Sequence, residues 1–335
     1  MGSATNTRIS VIIPNYNDAE TLPVCLGAVV GSDYPDFEVI VVDDKSTDNS
    51  VEIIKNHAVK LIVHEENRRQ GAARNTGAKN ASGEIFLFID GDICIRPDTL
   101  SKVAMAFAER KEIAAVVGMP DEKCIYTNLA STHFNRRVHF NYLRLPDEID
   151  LLNGSISAVR RGAFEKIGGF SETITGVEDA EMGFRLTQAG ERIFHSKEIR
   201  VTHHKKIGLW GLFNNDFGRT VDRVKLLAGR RQVKQMLRKK RFLSSPPYQL
   251  LSPVAATALF CSSLAAAFFP TFAILAGLFL LVFLGLNFRY LAFNYKDLGL
   301  LVGVQLSGLL VIDMLVVAGA LAWGTVLFVI KGEKY

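Results

Sequence analysis

The chain has 335 residues and a net charge of +5, with 48% of residues hydrophobic and 22% charged, yet nearly all the charge precedes residue 245 and nearly all the long apolar runs follow it. That division excludes a single water-soluble globule and predicts a soluble domain followed by a membrane domain. Cys25, Cys94, Cys124 and Cys261 show no paired spacing, so neither a disulfide framework nor a zinc site is indicated.

Met1–Arg8 leads into a β-like run too brief for a signal peptide, so the soluble domain is expected in the cytoplasm. Ile9–Pro14 reads as a strand, with Asn15–Asp18 as turn and helix start. A helix follows through Leu22, Cys25, Leu26 and Val29 and ends near Gly31. Phe37–Asp44 is a second buried strand ending in acids, and Leu61–His64 a third. Gly71–Gly77 opens a helix of small residues able to pack closely. A strand from Glu84 then stops abruptly at Asp90-Gly91-Asp92. The order β-α-β-α-β-α-β predicts a parallel sheet with helices on both faces. Four strand ends therefore meet at one rim, where open α/β sheets bind ligands. Carboxylates there suit Mg²⁺ or Mn²⁺ bridging nucleotide phosphates, and the Tyr16 ring can stack on a base.

The motifs Val11–Asn17, Val41–Asp48, Gly71–Gly77, Asp90-Gly91-Asp92 and Glu178-Asp179 stand in the order of the family-2 glycosyltransferases of the GT-A fold, which residues 8–225 resemble. The resemblance implies that Pro14, Tyr16 and Asp44 line the nucleobase pocket and that Arg69 or Arg74 approaches base or phosphates. Asp92 is then the metal ligand on the sugar-nucleotide diphosphate, with Asp90 near ribose or sugar. Lys45 stands where the family commonly has glycine or asparagine.

Further along, Leu100–Arg110 reads as a helix and Ala114–Val117 as a strand. Thr127–Arg144 mixes aromatics with Arg136, Arg137 and Arg144, a mixture that can bind nucleic acid but here reads as an amphipathic helix near a lipid surface, with His133 and His139 as surface residues and no nucleic-acid partner beyond the donor nucleotide expected. Leu151–Ile156, including Asn153 and Gly154, resembles the family's acceptor-side stretch. Asp179 opens the helix Ala180–Ala189, where it serves as a cap on local grounds. The family role for the Glu178-Asp179 pair is catalysis, with Asp179 as the base that deprotonates the acceptor hydroxyl. After Ile199–Thr202, the resemblance makes His203 a further metal ligand, and imidazole suits Mn²⁺ better than Mg²⁺.

Arg219 to Arg241 holds ten Lys or Arg against the single acid Asp222, which reads as contact with anionic headgroups. Arg219 itself can hold an acceptor phosphate. Leu250–Phe288 carries no charge and, at about 58 Å as a helix, must fold back, with Pro270 as hinge. The expected organisation is a tail (1–7), a GT-A domain (8–225), a basic juxtamembrane segment and linker (226–248) and a transmembrane domain (249–335) with spans 250–269, 271–288 and 307–330. Asp313 falls inside the last span, where an acid is costly.

Together these readings give an inner-membrane, metal-dependent inverting glycosyltransferase. It takes a nucleotide-sugar donor from the cytoplasm and uses a lipid-linked acceptor, a polyprenyl phosphate or a glycolipid. A processive polysaccharide synthase is one alternative, although the nearest thing to its Gln-x-x-Arg-Trp signature is Gln235–Lys239, which ends in lysine rather than tryptophan. A non-catalytic sugar-nucleotide sensor is another, although Asp44, Asp92 and Asp179 are all present.

Overall fold

The computed structural model describes residues 7–152, 154–229 and 247–331. Expectations placed on the tail, on Asn153, on residues 230–246 and on Gln235–Lys239 lie outside the described residues. The chain divides into two compact units, residues 1–126 with 141–205, and residues 127–140 with 206–335.

The first unit is built on one mixed sheet. Its strands are β1 (Ile9–Asn15), β2 (Phe37–Asp43), β3 (Lys60–Val63), β4 (Ile85–Ile89), β5 (Ile93–Ile95), β6 (Ile113–Pro120), β7 (Glu148–Ile149), β8 (Ile156–Arg160) and β9 (Arg192–His203). Among the described residues they lie in the order β3-β2-β1-β4-β8-β6-β9-β5, with β7 on β9. The first four are parallel, as their βαβ alternation requires. The sheet then continues through β8, antiparallel to both β4 and β6.

Period-two alternation sorts the side chains between the two faces. Ile9, Val11, Ile13, Val39, Val41, Ile85, Leu87 and Ile89 face α1 (Leu22–Val30) and α4 (Thr99–Glu109) in one continuous core. Burial of each such aliphatic contributes about 1.5–3 kcal/mol. On the other face lies α3 (Arg69–Lys79), whose Ala72, Ala73 and Gly77 are buried. A Cβ on Gly77 would collide with Ile12 Cγ2, so the small residues are what let this helix lie close to the strands. Phe88 packs edge-on against Phe170, with ring centres 5.0 Å apart. The remaining helices of this unit are α2 (Ser50–Lys55), α6 (Arg161–Lys166) and α7 (Glu178–Gln188).

The second unit is helical. It contains residues 129–140 of α5 (Leu129–Leu143), then α8 (Leu209–Gly229), α9 (Pro247–Ala266) and α10 (Phe272–Lys331). The helix α10 runs on through Arg289 and Lys296, beyond the expected end at 288, and breaks at Gly299, whose φ of 77° is open to glycine. Among the described residues, Phe272–Ile330 is the helix long and apolar enough to cross a membrane, and Leu251–Ala266 is a shorter apolar helix.

The lipid-surface reading of Thr127–Arg144 is corrected here. The helix is present, but both histidines expected on its outside are buried, His133 at 0% and His139 at 6% exposed, and Arg136 is only 4% exposed. Arg136 donates from Nε to Asn294 Oδ1 at 2.6 Å and from Nη2 to Asp297 Oδ2 at 2.7 Å. Arg137 bonds Asp313 and, at 2.6 Å, Asp216 Oδ2, while His133 Nε2 lies 3.3 Å from Asp313 Oδ2. Composition marked these bases as surface groups because it does not show that α8 and α10 supply matching acids.

Candidate active site

At one end of the rim, β1 delivers the buried Pro14 and then Tyr16, which is 48% exposed and presents its ring to solvent. The register sets Asn15 opposite Asp43. Asp43 is spent on the turn: Oδ2 accepts from Asn15 Nδ2 and Ser46 Oγ, both at 2.6 Å. The turn places Lys45 at φ 69°, a left-handed conformation in which a side chain is costly and glycine or asparagine is not. Asp44 is buried as well. Its Oδ1 meets His64 Nδ1 at 2.7 Å and Arg68 N at 2.8 Å, and its Oδ2 accepts from Arg69 N at 2.6 Å. Arg69 itself sits at φ 71°. The carboxylate that sequence reasoning assigned to a base thus also holds the start of α3 in a strained turn.

The pairing of β5 with β9 aligns Ile93 with His203, which brings Asp92 beside that histidine. Asp92 Oδ2 lies 3.3 Å from His203 Nε2 and 3.3 Å from Lys205 Nζ. Asp92 Oδ1 is buried and has no hydrogen-bond partner among the described residues. Burial raises the Asp92 pKa, but His203 and Lys205 outweigh it and hold the carboxyl well below the usual range. Asp18, which the motif reading did not single out, faces the same point. Burial, and then the Asp92 charge, push its pKa up to about 6.

The pairing of β4 with β8 aligns Ile89 with Ile156, so Asp90 meets the chain entering β8. A Cβ on Gly154 would stand 3.1 Å from Asp179 Oδ2, 3.5 Å from Arg74 Nη2 and 3.7 Å from Asp90 Oδ2. Glycine leaves that space open. Arg74, 1% exposed, donates to Asp90 Oδ1 at 2.8 Å and to Glu178 Oε1 at 2.7 Å. Burial opposes its charge, yet Asp90 and Glu178 hold its pKa above the ordinary value. Asp179 stands at the start of α7, where Oδ1 accepts from Ala180 N at 2.7 Å.

The fold therefore gathers Asp90, Asp92, His203, Arg74, Gly154, Glu178 and Asp179 at converging strand ends, with Pro14, Tyr16 and Asp44 along the same rim. Arg219 belongs to the second unit and is exposed on α8. Asp18, His64 and Lys205 carry no motif of their own; they stand just past the ends of β1, β3 and β9, and the convergence of those strand ends brings them in.

Among the described residues no group of three or more His, Cys, Asp or Glu stands ready-made around a metal. The Asp92–His203 pair does fit one whose remaining ligands come from a substrate. A buried carboxylate and an imidazole 3.3 Å apart are the donor types that Mn²⁺ or Mg²⁺ would take. The unpartnered Asp92 Oδ1 supplies a buried anionic oxygen at the same place.

Residues 10–168 match the family model for glycosyl transferase family 2, and residues 135–207 that for the N-terminal domain of galactosyltransferase. An uncharacterized glycosyltransferase of Haemophilus influenzae is 30% identical over 190 residues, 54% of this chain and 62% of that protein. Glycosyltransferase AglE of Haloferax volcanii is 29% identical over 211 residues, 60% of this chain and 68% of its own. The chain thus spans about two thirds of these relatives or less. The mannosyltransferase PcManGT of Pyrobaculum calidifontis, solved with GDP-Man and Mn²⁺, superposes with a TM-score of 0.56 at 20% identity, covering 95% of this chain and 87% of that one. The chain carries a domain of the family-2 glycosyltransferases, and its fold is GT-A.

Proposed function

We propose that this protein moves a sugar from a nucleotide-sugar donor to a lipid-linked acceptor, a polyprenyl phosphate or a glycolipid, with inversion and with a divalent cation. The observation that carries the reading is the juxtaposition of two acid sets on one rim. Asp92 converges with His203, and Asp179 faces Asp90 and Arg74 across Gly154. Neighbours solved with GDP-Man and Mn²⁺, or with UDP-GlcNAc, support the donor class.

In this reading Asp92 and His203 hold Mn²⁺ or Mg²⁺, which supplies charge neutralisation of the leaving diphosphate. Lys205, already on Asp92, adds a second positive charge there. Pro14, Tyr16 and Asp44 receive the nucleobase, Arg69 lies beside it, and Asp90 fixes ribose or sugar. Asp179 takes the proton from the acceptor hydroxyl as that oxygen bonds to the anomeric carbon. The bond from that carbon to the diphosphate oxygen breaks on the opposite face, and the nucleoside diphosphate leaves. Arg74 and Glu178 act from behind by holding Asp90 and the start of α7.

A membrane location and a cytoplasmic catalytic face belong to the same proposal. They rest on the apolar Phe272–Ile330 helix and on the charge pattern before it, and Arg219 as a phosphate contact is part of the same proposal.

The test is a screen of UDP- and GDP-sugars with Mn²⁺ or Mg²⁺, followed by Asp179→Asn. Asp179 lies inside the first turn of α7 rather than at its cap, and asparagine keeps the side-chain oxygen that accepts from Ala180 N but takes no proton. Donor affinity should stay near wild type while turnover falls about 10²–10⁴-fold. Near-wild-type turnover would remove Asp179 from the chemistry.

A further inference from the structure

The segment Ser171–Val177, which delivers Glu178 and Asp179, is stitched to α3 by groups that the transfer chemistry does not use. Asn75 pins it first: Nδ2 donates to Phe170 O and Oδ1 accepts from Phe170 N, both at 2.9 Å. Gly71 permits close approach, since a Cβ there would meet Ser171 O at 2.5 Å. Glu172 then closes a bridge. Its Oε1 accepts from Asn75 Nδ2 and its Oε2 from Arg68 Nη2, each at 3.0 Å. The Arg68 backbone N–H in turn donates to Asp44 Oδ1 at 2.8 Å.

We propose that Glu172 is a positioning residue that couples the nucleobase end of the site to the Asp179 end. The inference rests on the donor reading above. Asp44 restrains Arg68 and Arg69 in a turn with Arg69 at φ 71°. A base that engages Asp44 competes for or reinforces those same bonds, and the position of the Arg68 guanidinium changes with them. Glu172 carries that change to the Ser171–Val177 segment and so to Asp179. The pair has side chains 45% and 41% exposed, and an ion pair this open adds little to folding. Its loss is therefore read in coupling rather than in stability.

The experiment is hydrogen exchange on peptides covering 170–179 of the full chain, with and without UDP or GDP in the presence of Mn²⁺. In the wild type, the bound nucleotide slows exchange there by about fivefold or more. In Glu172→Ala and Arg68→Ala the nucleotide still binds within about twofold, protection of 170–179 disappears, and donor-sugar turnover falls while donor KM holds. Glu172→Gln, which keeps one acceptor oxygen, restores part of the protection. Full protection in both alanine variants, or none in a nucleotide-bound wild type, overturns the coupling alone. A wild type that binds neither nucleotide overturns the donor reading and the coupling together.

Discussion

Arg74→Leu separates a phosphate contact from an internal clamp. The Arg74 side chain is 2% exposed and ties Asp90 to Glu178, residues on β4's end and α7's start. Leucine has about the right bulk but leaves two carboxylates facing each other with no cation between them. Removing one partner of a buried ion pair costs about 3–5 kcal/mol. For a unit of this size that corresponds to a fall in Tm of roughly 6–20 °C. Trp210 and Trp323 both lie in the second unit, so the melt must be followed by far-ultraviolet circular dichroism rather than by tryptophan fluorescence. Adding Glu178→Gln to the variant should recover part of the loss, because the two substitutions share one network. A Tm shift under about 2 °C would mean that Asp90 and Glu178 do not depend on Arg74, and the clamp would be refuted.

Three further outcomes are expected. Asp92→Ala should abolish Mn²⁺-dependent donor binding, since it removes the hard anionic ligand; calorimetry showing unchanged affinity would reject the metal assignment. His195 is 1% exposed, and burial, then Lys197, push its pKa down to about 4, below the ordinary 6.5. The unfolded chain therefore binds the proton first, and stability should fall as pH drops from about 6.5 towards 4. His195→Phe should flatten that slope in urea titrations at the two ends of the window, and an unchanged slope would exonerate His195. In the second unit, Asp313→Ala leaves Arg137 and His133 without their shared acid and should cost about 3–5 kcal/mol. Fluorescence of Trp210 and Trp323 follows that unit, and a melt within about 2 °C of wild type would show the network to be dispensable.

The parallel half of the fold was legible because it rests on local signals. Alternating aliphatics, acid-terminated strands and the small residues of α3 each predict their own element, and β1 to β4 follow from them in order. The antiparallel half was not legible, because β8 enters between β4 and β6 and β5 pairs with β9 across more than a hundred residues. Nothing local to Ile93 announces His203. Helix α5 shows the same limit in another form. Its basic and aromatic residues gave an amphipathic pattern, but whether such a face meets lipid headgroups or Asp216, Asp297 and Asp313 is decided by segments far along the chain.

That distinction explains why the candidate site was read in its letters and missed in its wiring. A motif names groups whose chemistry the ligand needs, and Asp92 or Asp179 can be picked out on those terms. The residues that set their protonation and position are free to vary in type so long as the register delivers a partner. Lys205 can neutralise Asp92 from the end of β9, and Asp18 can crowd it from the loop after β1. Arg74 makes the converse point. Its place in a motif suggested a ligand contact, yet a guanidinium with 2% of its side chain exposed and two carboxylates in reach has its strongest partners inside the protein. A buried cation within such a site is therefore better read first as the group that sets the distance between two acids, and only then as a hand extended to substrate.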